Sequence, residues 1–237
     1  MPETISIYVE AGAKRVFAGA VDWPGWTRGG RDEDAAIEAL AAYGPRYRAA
    51  MGRAARGFRA PADASGLDVV ERLNGNASTD FGAPAASPKA DDRPLDEAEL
   101  ARQSRLLRAA WAALDRAAEA HGSAVLRTGP RGGGRDLPRI VSHVAEAEGS
   151  YLKSLGGSFR PGREADQAAV IAGLRRAVLD TLRSRARGEP LAPSRRRSPP
   201  WSPRYFLRRA TWHVLDHAWE IEDRAAPEPR GSSRSPV

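Results

Sequence analysis

The chain has 237 residues, 41% of them hydrophobic, enough for a buried core in one large domain or two small ones. There is no cysteine, which excludes a disulfide framework, a thiolate zinc site and a cysteine nucleophile, and leaves any metal to His, Asp or Glu. The net charge of +7 invites a nucleic-acid reading; the start, Met1-Pro2-Glu3-Thr4-Ile5, lacks the basic and apolar run of a signal peptide, and no stretch approaches a membrane span, so a cytoplasmic protein is expected.

Residues 4–10 are β-branched with weak alternation and read as a strand, and after the turn Ala11-Gly12-Ala13 the run Arg15 to Val21 reads as its hairpin partner. Pro24-Gly25 predicts a turn, because Pro presets φ at the first corner and Gly accepts positive φ at the second. A short strand follows at Trp26 to Arg28, and past Gly29-Gly30 Asp32 caps a helix through Leu40. Gly44-Pro45 breaks or kinks that helix before a second piece from Arg46 to about Arg56, and Val69 to Leu73 read as a last strand. The order of hairpin, Asp22-Trp23-Pro24-Gly25 turn, Gly30 and acidic helix start at Asp32, Glu33 and Ala36 resembles the HicB-like antitoxin fold. That resemblance implies a binding or oligomerisation module over residues 1–75, without catalysis of its own. The toxin partner and DNA-binding tail of a true antitoxin are not visible.

Residues 76–94 carry Gly82, Pro84, Pro88 and Pro94 with little periodicity and read as a linker or extended loop. From Asp96 the texture becomes helical, with Leu100, Leu107, Trp111, Leu114 and Ala118 on one stripe and Gly122 as the stop. The glycine-rich loop 129–135 offers a phosphate cradle, but no strand precedes it and the Walker lysine and hydroxyl are missing. Asp136 then caps a helix with the stripe Ile140, Val144, Ala147, Tyr151 and Leu155; His143 lies beside it and Glu146 one turn on. A third helix runs from about Glu164 to Arg187, with Ile171, Leu174, Val178 and Leu182 inward. After the Pro- and Arg-rich loop 188–200, Ser202-Pro203 starts a fourth helix, on which Leu207, Val214 and Ile221 form one stripe and Phe206, Ala210, His213, His217 and Glu220 the next. Four successive amphipathic helices predict an all-α up-and-down four-helix bundle over residues 95–225, behind an α+β N-terminal module; residues 226–237 read as a disordered tail.

His213 and His217, four apart on a helix, lie about 40° apart in azimuth and about 6 Å along the axis, so both imidazoles can reach one ion. Alone the pair is also compatible with a surface accident, and His143 alone with a boundary histidine. Together, a histidine near the start of the second bundle helix, a long gap and His-x-x-x-His in the fourth resemble the DinB-like superfamily of metal-binding four-helix bundles, over about Asp96 to Arg224. The resemblance implies one divalent metal held by His143, His213 and His217, and places His121 outside the ligand set.

Three imidazoles suit Zn, Ni, Fe or Mn and leave positions open for water or substrate. The superfamily implies chemistry through a metal-activated thiol or water, with a low-molecular-weight thiol as candidate cosubstrate. Glu146 and Glu220 are the carboxylates available as a fourth ligand, a brace or a general base, with ordinary salt bridges as the alternative; Asp216 either braces an imidazole or faces solvent. A carboxylate-bridged di-metal site fits less well, since no bridging Glu is evident in the first and third bundle helices. The alternative function is a non-catalytic interaction protein with a structural metal site. Expected partners are an unidentified small-molecule substrate and a second copy of the chain, with no membrane. Nucleic-acid binding through the arginines from Arg183, Arg185 and Arg187 through Arg195, Arg196 and Arg197 to Arg204, Arg208 and Arg209 is a minor reading, because aromatic interleaving is confined to Trp201, Tyr205 and Phe206.

Overall fold

Strands β1 (Ile5–Ala11) and β2 (Val16–Ala20) form the expected hairpin, with Tyr8 opposite Gly19 and Val9 opposite Ala18. The structure, a computed structural model, describes residues 4–122, 125–128, 134–191 and 199–225. Pro24-Gly25 turns the chain into β3 (Thr27–Gly30), antiparallel to β2. Gly25 has φ of 91°, and a Cβ there would come within 2.8 Å of Thr211 Cγ2 and 2.9 Å of Leu215 Cδ1. Glycine is therefore required by both backbone and packing, and the turn presses on the helix that carries the histidine pair.

Helix α1 (Glu33–Ala42) begins where the Asp32 carboxylate accepts from the Ala35 N–H at 2.8 Å. Trp26, fully buried, donates from Nε1 to the Leu40 carbonyl at 2.9 Å and stacks on Tyr47 of α2 (Gly44–Met51). Gly44-Pro45 does not stand ahead of the second helix but opens it, since a proline in the first turn lacks only an N–H that has no intrahelical partner anyway. Strand β4 (Leu67–Asn74) then pairs parallel to β1, giving the order β3-β2-β1-β4.

Residues 76–94, expected as a linker or an extended loop, are held against the sheet. Asn76 caps the short α3 (Ala77–Phe81) in a capping box with Thr79. The Thr79 hydroxyl donates to the fully buried Glu10 carboxylate of β1, and the Ala85 and Ala86 N–H groups reach it at 2.9 and 3.0 Å. A buried carboxylate needs donors, and this segment supplies them; its proline-rich composition conceals that role. A 3-10 turn at Lys89–Asp92 then buries Asp91.

The bundle consists of α4 (Glu97–Ala120), α5 (Leu137–Leu155), α6 (Gln167–Ala186) and α7 (Pro203–Ala225). Asp96, Asp136 and Asp166 start the first three, each accepting from a backbone N–H three residues on; the third helix thus begins at Gln167 rather than Glu164. Ser202 Oγ accepts from the Tyr205 N–H at 3.1 Å and Pro203 is the first helical residue of α7. The main helix contacts run α4 to α7, α7 to α5, α5 to α6 and α6 to α4, so α5 lies across the core from α4. A buried hydrogen bond, from Trp111 Nε1 of α4 to Glu148 of α5, spans that core, and burial pushes the Glu148 carboxyl up to about 7.

One hydrophobic cluster includes Ile7, Trp26 and Leu40 as well as Leu107, Val144, Leu182 and Leu215, so the sheet module and the bundle share a core. Arg208 of α7 is the polar fastening. Its Nε and Nη2 reach the buried Asp91 carboxylate at 2.6–3.1 Å, while Nη1 and Nη2 donate to the Ala20 and Val21 carbonyls at 2.6 and 2.8 Å. Among the described residues no helix is long and apolar enough to cross a membrane. The tail expected at 226–237 and most of the loops 129–135 and 188–200 lie outside the described residues.

Candidate metal centre

Helix α5 contributes His143 from its second turn, and α7 contributes His213 and His217 from its middle. Because α5 packs directly on α7, the three rings meet: centroids lie 5.2 Å apart for His143 and His213, 5.0 Å for His143 and His217, and 4.6 Å for His213 and His217. Each ring offers a nitrogen within 4.8 Å of the other two. Nitrogens at about 2.0–2.1 Å from one tetrahedral ion stand roughly 3.4 Å apart, so shifts of about an ångström bring the three onto a single ion.

The electrostatics favour the ligand form of the imidazoles. Burial, reinforced by the neighbouring His217 and Arg209 charges, pushes His213 down to about 2, and burial likewise lowers His143. Both are therefore neutral at pH 7, as metal coordination requires. His213 Nδ1 is buried with no hydrogen-bond partner among the described residues. An unmatched buried nitrogen costs about 1–3 kcal/mol, which coordination through Nδ1 would remove. A donor set of three imidazole nitrogens fits a borderline divalent metal.

Glu220 has a defined place. Its Oε2 lies 2.7 Å from His217 Nδ1 and its Oε1 accepts from Arg224 Nη1 at 2.7 Å. The hydrogen bond from His217, opposed by partial burial and assisted by Arg224, holds the carboxyl below its usual range. An ionised carboxylate only accepts, so His217 donates from Nδ1, and Nε2 is the ring nitrogen that would face an ion. Arg224 is in turn fixed by donating from Nε to the Arg127 carbonyl at 2.7 Å. Glu146 is different: it is exposed on α5 and makes no hydrogen bond or ion pair among the described residues. Asp216 pairs with Arg28 at 3.4 Å, and His121 is the C-cap of α4.

Four side chains around the centre escape a reading of the sequence as core stripes and charge runs. Tyr151, taken for a core residue, lies 5.7 Å from the His213 ring and 5.2 Å from Trp201, which meets Tyr205 at 4.8 Å. Arg209 sits over Tyr151 and Trp212, at 5.6 and 4.9 Å from the ring centres. The available signal was spacing: Arg209 is four residues before His213, and Tyr151 eight after His143. The arginines grouped as a nucleic-acid face are mostly engaged within the chain, Arg183 with Asp180, Arg187 with Glu189, Arg204 with Glu99 and Arg208 with Asp91, while Arg195, Arg196 and Arg197 lie outside the described residues.

Comparison with protein-family models, with curated proteins and with solved structures finds no match to this chain.

Proposed function

We propose that the chain is a mononuclear metalloprotein of the DinB-like type, with His143, His213 and His217 as ligands to one divalent ion. The observation that carries this reading is the meeting of three imidazoles from two helices, with ligand nitrogens mutually within 4.8 Å. Such an ion, with positions left for exchange, would acidify a bound water or present a thiolate as nucleophile. Glu220 is then the orienting carboxylate: it accepts from His217 Nδ1, fixes the tautomer and ring plane, and is itself held by Arg224. Both of its oxygens are engaged in this way, which argues against its acting as the fourth ligand. Trp201, Tyr151 and Tyr205 supply an apolar wall beside His213.

Elemental analysis of purified protein tests the ligand set. The expected result is about one zinc, nickel, iron or manganese per chain, lost in His213→Ala and His217→Ala. Wild type carrying no more metal than these variants overturns the reading. Transfer or hydrolysis assays with low-molecular-weight thiols then separate an enzyme from an interaction protein with a structural ion, because the latter gives no turnover.

A further inference from the structure

The arginines of α7 divide in an informative way. Arg204 is neutralised by Glu99, Arg208 by Asp91 and Arg224 by Glu220. Arg209 alone has no carboxylate partner among the described residues, although it is half-buried and lies one helical turn from His213. Its Nη1 donates to the Pro84 carbonyl at 2.5 Å, and the rings of Tyr151 and Trp212 cover its guanidinium. A guanidinium withdrawn from water ordinarily has an anion against it, and one held rigid by a carbonyl and two aromatic faces is pre-organised to receive one.

The surroundings reinforce this. At His213 the Arg209 and Arg135 charges act together, whereas the Glu146 and Glu220 charges act at His143, so the positive side of the centre is the Arg209 side. The carboxylate that touches the histidines, Glu220, is already matched by Arg224, and the Glu10 carboxylate, near Pro84, is already taken by Thr79 and the Ala85 and Ala86 N–H groups. On the side of Arg209 the lining is aromatic, with Trp201 in contact with both Tyr151 and Tyr205 and all three partly exposed.

We infer that the small molecule accepted beside the three-histidine centre is an organic acid, its carboxylate or phosphate taken by Arg209 and its apolar body laid against Tyr151 and Trp201. This deepens the proposed metalloprotein function and rests on it for the location of the reacting end. Arg209 is then a specificity residue for the anionic group, acting through direct contact with the ligand.

The probes are phenylacetate and its uncharged isostere phenylacetamide, titrated against the full chain by tryptophan fluorescence and ligand-observed NMR, with bound metal and after chelation. A charge-assisted bidentate contact predicts that wild type favours phenylacetate by about tenfold or more. In Arg209→Gln the preference falls to within about twofold while phenylacetamide binding persists, and Arg209→Lys restores part of it. Equal binding of the two probes by wild type overturns the inference whether or not the variants fold. So does a preference that survives in Arg209→Gln, or a loss that affects both probes alike, which marks a purely structural arginine. Metal content of the same samples keeps the two readings apart. An Arg209-dependent preference in a chain that binds no metal supports the acid site and sinks the metal centre; metal binding without that preference does the reverse.

Discussion

Two glutamates stand near the three histidines, and only one of them touches a ring, so Glu220→Gln and Glu146→Gln should differ sharply in metal affinity. Glu220→Gln keeps the side-chain shape but removes the charge facing His217 Nδ1, 2.7 Å away, and the charge facing Arg224, also 2.7 Å away. A neutral amide is a weaker acceptor, so His217 Nε2 becomes less basic and its ring less firmly held. Loss of the acceptor behind a metal-bound imidazole typically costs 10–100-fold in affinity, about 1.4–2.7 kcal/mol. The Glu220 side chain is 30% exposed, so solvent screens part of its effect and the lower end, roughly tenfold, is expected. Glu146 is exposed and has no hydrogen-bond or ion-pair partner among the described residues, and its amide variant should stay within about twofold of wild type. Competition for zinc against a chromophoric chelator at pH 7.5, where His143 and His213 are already neutral, reads both constants. Unchanged affinity in Glu220→Gln, or an equal loss in Glu146→Gln, would falsify the assignment of Glu220 as the orienting group.

Metal removal should lower thermal stability. At free metal a hundredfold above the dissociation constant the ion contributes about 2.7 kcal/mol, or roughly 5–10 °C in Tm for a chain of this size, and a scan with and without chelator should show that shift in wild type and none in His217→Ala. The Asp91–Arg208 fastening predicts a loss of about 3–5 kcal/mol for Asp91→Ala in urea unfolding, because a guanidinium 7% exposed is left unmatched, whereas Asp91→Ala with Arg208→Met together should cost less than the single change; a single-variant loss under 1 kcal/mol refutes this. Glu148 supplies a pH test. Its folded pKa of about 7 lies above the unfolded carboxyl value, so its stabilisation is complete below about pH 4.5 and is lost as pH rises through 7. Glu148→Gln should therefore be more stable than wild type at pH 8, by on the order of 3 kcal/mol, and within about 1 kcal/mol of it at pH 5; equal stability at both values counts against a carboxyl whose pKa is raised by burial.

Much of the architecture is written in short-range chemistry. The caps Asp32, Asp96 and Asp136, the Pro24-Gly25 corner and the helical stripes mark where elements begin and which face they bury, because each depends on residues within a turn or two of one another. The spacing of His213 and His217 likewise makes a shared ligand direction legible from the sequence, since a helix fixes the relative azimuth of residues four apart.

Tertiary structure alone decided the remainder. His143 joins the pair only because α5 packs on α7. Glu220 and Glu146 have the same spacing after a histidine, yet one lies against an imidazole and an arginine and the other faces water. Residues 76–94 are composed like a linker, and what holds them is the need of Glu10 and Arg208 for partners from far along the chain. Spacing reports local geometry, whereas the pairing of buried charges is settled by which surfaces meet, and that is a property of the folded chain as a whole.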